Sequence, residues 1–140
     1  VLAPNLFMES WATQIVAQPV QAGDPVVIIG QGRTRHTFVA EHDVAQFAVA
    51  CVNNPAAQNR RLAIGGPQGL SWRDVIATYE QVLGRSIDVQ YTEPGQPVGK
   101  LSMAVQPLLA AMDNFETNFD SSALAAEFKV TQTPLEAWVR

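Results

Sequence analysis

Between residues 61 and 91 the chain alternates structure types in an order that few folds accept. Residues 61–64, Arg-Leu-Ala-Ile, read as a short strand that enters Gly65-Gly66-Pro67, and residues 87–91 alternate apolar and polar side chains as a half-buried strand does. Between these runs, Ser71-Trp72-Arg73-Asp74 has the spacing of a capping box, in which a hydroxyl and a carboxylate each satisfy a free amide at a helix start. Trp72, Val75, Ile76, Tyr79, Val82 and Leu83 then recur at helical spacing as one apolar face, and Gly84 stands where a helix ends in a left-handed residue. A strand, a helix and a strand of this length make a parallel crossover, so an α/β class is expected.

The flanking segments extend the pattern. Residues 1–4 read as the end of a strand, followed by a helix that opens at Pro4-Asn5, carries Phe7, Trp11 and Ile15 at four-residue spacing, and stops near residues 19–23. Residues 25–30 and 35–39 read as two strands around a turn at Gln31-Gly32-Arg33, together a hairpin-like excursion. From Glu41 a helix is expected, with Val44, Phe47, Ala48 and Cys51 on its buried stripe, Asp43 as its cap and Asn53-Asn54-Pro55 as its end. A loop at residues 93–97 precedes a helix marked by Val105, Leu108, Leu109 and Met112, with Pro107 in its first turn. Polar residues 113–122 read as loop, and Leu124 and Phe128 mark a short helix. Thr133-Pro134-Leu135-Glu136 has the spacing of a second capping box, with Pro at the first helical position.

Few parallel strands with flanking helices leave a sheet incomplete, because both faces and both edges of such a sheet need cover. Val1-Leu2-Ala3-Pro4 is apolar, has no initiator Met and runs directly into structured sequence, so it reads as a cut. The expectation is one unit over residues 1–140 that lacks an N-terminal half carrying the rest of the sheet.

Composition narrows the function. With 140 residues, 47% hydrophobic and 16% charged, the chain can bury a core as one globular unit. Nine Lys and Arg are scattered along a chain of net charge -4, so no basic stripe is available for nucleic acid. No run approaches the roughly 18 apolar residues of a membrane helix and no secretory signal pattern opens the chain, so a cytoplasmic location away from membranes is expected. The single cysteine, Cys51, excludes an internal disulfide and a Cys-based zinc site.

Several clusters invite chemistry and have plainer readings. The run Gly65-Gly66-Pro67-Gln68-Gly69 lies between a strand and a helix but lacks the G-x-G-x-x-G spacing, and Pro67 removes an amide that a phosphate would use, so a structural turn is favoured. A tyrosine acid needs a Lys four positions later to lower its pKa, yet Leu83 follows Tyr79 and Gly95 follows Tyr91 at that spacing. No catalytic residue is therefore assigned. His36, Glu41, His42 and Asp43 are metal-ligand types without ligand spacing, Arg33 and Arg35 read as a solvated pair, and Cys51 reads as a buried thiol. Phe7, Met8 and Trp11 lie just beyond a strand end, where open α/β sheets bind ligands, and core packing explains them equally well.

The blocks together resemble a known family. Residues 2–10, Leu-Ala-Pro-Asn-Leu-Phe-Met-Glu-Ser, are similar to the R-P-x-x-F-M-E-N segment of NmrA-like proteins, an atypical branch of the short-chain dehydrogenase/reductase superfamily. Phe38-Val39 with Asp43-Val44-Ala45 resembles its F-V-x-x-x-D-V-A block. Residues 64–85 resemble its strand, loop and helix, and residues 133–140 its last helix. Ala3 stands in place of the usual Arg and Ser10 in place of the usual Asn. The resemblance implies the C-terminal half of a Rossmann-like NAD(P)-binding fold, with the phosphate loop upstream of Val1. It implies that Pro4 and Asn5 pass the nicotinamide of NAD(P), NADPH ahead of NADH and in the full-length protein only, and that Phe7, Met8 and Trp11 wall a substrate pocket. The implied function is hydride transfer to a small-molecule acceptor. The alternative is a non-catalytic redox sensor that binds NAD(P) and partner proteins, and homo-oligomers are left open.

Overall fold

The computed structural model describes residues 1–96, 98 and 100–140. Of the expected loop at residues 93–97, Pro97 lies outside the described residues. Residues 2–7 run as one extended ribbon that changes partners at Asn5. Its first part, β1 (Leu2–Pro4), pairs in parallel with β5 (Leu62–Ile64), and its second, β2 (Leu6–Phe7), pairs in parallel with β4 (His36–Val39). β4 also pairs antiparallel with the short β6 (Gly69–Leu70), while β3 (Val26–Ile29) and β7 (Val89–Thr92) form a separate parallel pair.

The expected helix at the ribbon's end begins later and winds wider. Residues Met8–Ala17 form a π-helix, continued by α1 (Gln18–Ala22), and the amide of Gln18 bonds the carbonyl of Thr13, the i→i−5 closure of a π turn. Pro4 and Asn5 stay extended because the Asn5 amide continues the β1–β5 ladder to the Ile64 carbonyl at 2.9 Å. The remaining helices are α2 (Glu41–Cys51), α3 (Trp72–Leu83), α4 (Gln106–Asn114), α5 (Ser122–Phe128) and α6 (Leu135–Val139).

Two expectations about pairing are corrected. β3 and β4 do not form a hairpin, since each has a parallel partner elsewhere in the chain. β5, α3 and β7 likewise do not form a crossover within one sheet, because β5 joins β1 and β7 joins β3. Local alternation marked the strands correctly, but pairing depends on partners far along the chain.

The capping box of α3 forms in full. Ser71 Oγ accepts from the Asp74 amide and the Asp74 carboxylate accepts from the Ser71 amide, a bond that holds the Asp74 pKa below its usual value. Leu83, expected on the apolar face, is 45% exposed at the last turn. The other two expected caps do not form. Asp43 sits in the first turn of α2 behind an N-cap of Ala40, and Thr133 precedes an N-cap of Pro134 in α6. Instead they bond each other: Asp43, fully buried, accepts from the Thr133 amide at 2.7 Å and from its hydroxyl at 2.8 Å.

The ribbon divides two apolar clusters. Met8, Ile15, Ile28, Phe38, Trp72 and Leu109 belong to the larger, and Val39, Phe47, Leu62, Ile64 and Phe128 to the smaller. Cys51 packs half-buried against the smaller cluster. Among the described residues no helix is long and apolar enough to cross a membrane.

Candidate functional site

The β1–β5 pair ends at Pro4 and Ile64, just before the β2–β4 pair begins at Leu6 and Phe38, and Asn5 is the joint between them. Its side-chain amide donates to the Thr37 hydroxyl at 2.7 Å and to the Thr117 carbonyl at 2.8 Å, with the Thr37 carbonyl and Thr117 hydroxyl also in reach. Behind it, fully buried His36 lies between the Met112 carbonyl at 3.0 Å and the Thr117 hydroxyl at 2.8 Å. A carbonyl can only accept, so Nε2 carries the ring proton and Nδ1 accepts from Thr117. Burial pushes the His36 pKa below its ordinary value, against the pull of the Met112 carbonyl and of Glu116. The imidazole is a neutral strut tying β4 to the end of α4.

The glycine run beside this joint is closed by the protein itself. A Cβ at Gly66 would lie 1.7 Å from the Phe38 carbonyl oxygen, so only glycine lets β4 and the turn approach so closely. The Gly65 carbonyl accepts from Ser121 and Gln132, which dock the C-terminal segment on the turn.

The candidate wall is divided between the two clusters. Met8 is buried in the larger cluster and Trp11 packs half-buried against it, whereas Phe7 packs half-buried against the smaller one. Glu9 flanks these residues in the sequence, and its partners lie far along the chain. Its carboxylate accepts from the indole N–H of Trp138 at 3.0 Å and from the Glu41 amide at 3.1 Å, which fixes the wall to α6 and to the start of α2. A carboxylate at a helix N-terminus is also favoured by the helix dipole.

The other expected groups separate. His36 is in the network above, while His42 bonds Gln46 on the exposed side of α2. Among the described residues no three His, Cys, Asp or Glu side chains are placed to hold a metal ion. Tyr79 is 6% exposed and burial pushes its phenol up to about 12, in keeping with a core residue. Arg73 lies over the Tyr91 ring at 4.8 Å, and Arg35 donates to the Gly69 carbonyl.

A cleft of about 440 Å³ opens further along the helix, between Gln14, Ile15, Gln18 and Pro19 on one side and Val27 and Gln90 on the other. None of the five expected site residues lines it. The only sequence signal for it was Gln14 and Gln18 at four-residue spacing on a helix otherwise read for its apolar face.

No family model matches the chain. Among curated proteins it is 26% identical to an isoflavone reductase homologue of Solanum tuberosum over 119 residues, which is 82% of this chain and 39% of that protein. It is 31% identical to a phenylcoumaran benzylic ether reductase of Pinus taeda over 96 residues, 68% of this chain and 30% of that protein. The chain thus spans less than half the length of these curated relatives. In fold, an isoflavone reductase crystal structure superposes with a TM-score of 0.71 at 23% identity, covering 99% of this chain and 50% of that one. A UDP-glucuronic acid 4-epimerase from Bacillus cereus, in complex with UDP-glucuronic acid and NAD, gives 0.59 at 20% identity over 91% of this chain and 43% of that one. These likenesses do not single out the NmrA-like branch. The chain has the α/β fold of the C-terminal part of a Rossmann-like short-chain dehydrogenase/reductase, and its sequence is similar to isoflavone-reductase-like proteins.

Proposed function

We propose that residues 1–140 are the C-terminal, substrate-side half of an NmrA-like NAD(P)-dependent oxidoreductase that passes a hydride to a small acceptor. The agreement of two comparisons carries this reading: the curated relatives named above are a reductase and a reductase homologue, and the fold of an isoflavone reductase covers 99% of the chain. On this reading an N-terminal half supplies the phosphate loop, the remaining strands and the preference for NADPH.

A nicotinamide nucleotide finds only part of its site in these residues. The glycine run at residues 65–69 is filled by the Phe38 carbonyl and Asn118, which leaves no cradle for a pyrophosphate. Pro4 and Asn5, at the strand ends, are the positions that would lie along the nicotinamide, and the Thr37 and Thr117 bonds hold Asn5 rigid there. The bound cofactor supplies the hydride. Phe7 and Trp11 would orient the acceptor and exclude water, with buried Met8 fixing the backbone between them.

The test is calorimetric titration of NADPH into the full-length protein and into residues 1–140 alone. One-to-one micromolar binding by the full-length protein and only weak binding by the 140 residues is expected. Micromolar binding by the 140 residues alone would overturn the division of labour. Acceptor-dependent oxidation of NADPH by the full-length protein supports an enzyme, and binding without turnover across carbonyl and aromatic acceptors points to a redox sensor.

A further inference from the structure

We propose that the side-chain oxygen of Asn5 is a fixed hydrogen-bond acceptor that selects a ligand presenting an uncharged N–H donor at the strand joint, and that the carboxamide N–H of the nicotinamide is that donor. The inference rests on the cofactor reading above and adds the atom that recognises the ring.

Orientation comes first. The side-chain nitrogen of Asn5 lies 2.8 Å from the Thr117 carbonyl and 3.0 Å from the Thr37 carbonyl. A backbone carbonyl only accepts, so the group facing both is the NH₂ end of the carboxamide and not its oxygen. Turning the carboxamide over would set its oxygen against two other acceptors. The Asn5 side chain is therefore locked one way round, and the Thr37 hydroxyl at 2.7 Å takes a further share of its donors.

The neighbours fix the direction of the protons as well. His36 donates through Nε2 to the Met112 carbonyl and accepts through Nδ1 from the Thr117 hydroxyl. That hydroxyl has only lone pairs left for Asn5, at 3.3 Å. Donors thus point away from Asn5, through Thr117 and His36, to the Met112 carbonyl, and hydrogen bonds aligned in one direction polarise one another. The free end of the chain is an acceptor, Oδ1 of Asn5.

That oxygen is open. Among the described residues no donor reaches it, and it is not sealed from solvent, since the one sealed side-chain polar atom without a partner there is the Trp72 indole nitrogen. An oriented, half-buried and unpaired acceptor favours a donor from outside and opposes a carbonyl or carboxylate in the same place. On the cofactor reading Asn5 lies along the nicotinamide, whose carboxamide NH₂ is the sole hydrogen-bond donor of the ring. One contact would then recognise the nicotinamide and hold it one way round against the acceptor.

The experiment is calorimetric titration of the full-length protein with NADP⁺ and with its 3-acetylpyridine analogue, in which a methyl group replaces the carboxamide NH₂. The wild type is expected to bind the analogue about fivefold more weakly, the loss of one hydrogen bond. Asn5→Ala should bring the two affinities within about 1.5-fold of each other, whatever it does to each of them. Thr37→Val, nearly isosteric at a buried position, loosens the same carboxamide without removing its oxygen and should lower the ratio to about twofold. Equal binding of the two nucleotides by the wild type, or a ratio that both substitutions leave unchanged, would overturn the inference and leave the cofactor reading intact. Failure of NADP⁺ itself to bind would overturn both.

Discussion

The two ends of the helix that follows the strand ribbon are built on opposite principles. At its start, Met8 is buried and Glu9 is bonded to Trp138 and to the amide of Glu41, so the backbone has few ways to move. At its far end, Gln14 and Gln18 line the open cleft and have no protein partner among the described residues. One continuous helix therefore carries a fixed wall and an adaptable rim. The lesson is that hydrogen-bond saturation, rather than burial alone, separates the structural part of a surface from the part free to recognise a ligand.

Substitutions at the fixed end should have the largest effects. Asp43→Ala removes both bonds to Thr133 and leaves its amide and hydroxyl without their acceptor, so a loss of about 3 kcal/mol in urea unfolding is expected. A loss below about 0.5 kcal/mol would mean that the C-terminal segment is held by packing alone. Glu9→Ala should cost about 1.5 kcal/mol and shift the emission of Trp138, because the indole N–H loses its acceptor. Unchanged emission would detach Glu9 from the clamp.

Those two clamps also mark the limit of what the sequence disclosed. Local signals held: the Ser71–Asp74 box, the Gly84 terminus and the strands at residues 26–29, 36–39 and 62–64 were legible because each depends on neighbours a few positions away. Asp43 and Thr133 each had the local credentials of a cap, yet they lie 90 positions apart in sequence and satisfy one another instead. The same reason hid the strand pairing of β3 with β7 and the partners of Glu9 at Glu41 and Trp138. The wall residues Phe7, Met8 and Trp11 were visible as a cluster, but their division between two apolar cores follows from the ribbon's change of partner at Asn5, which no periodicity encodes.

The buried joint makes a subtler prediction. His36 has a folded-state pKa below its unfolded value of 6.5, so the unfolded chain takes up a proton first as pH falls. The stability it contributes is complete above that value and declines as pH drops from it toward the lower folded value. Urea midpoints measured at about pH 5 and about pH 8 should therefore separate more in the wild type than in His36→Gln. Equal separation would show that His36 does not titrate with unfolding.

At the adaptable end the expected effect on stability is the smallest. Gln14→Ala and Gln18→Ala should each change unfolding free energy by less than about 0.5 kcal/mol, as exposed positions without partners do. A larger loss would show that these carboxamides support the helix, and the contrast between its two ends would disappear.

The start of this helix either serves the acceptor or only packs the core. The direct measurement is Trp11→Ala in the full-length protein, with NADPH affinity from calorimetry and acceptor KM from the loss of NADPH absorbance. An acceptor KM raised about tenfold with NADPH affinity held within about twofold is the predicted result, since one large apolar contact is lost on one ligand only. Equal losses for both ligands, or none for the acceptor, would contradict it.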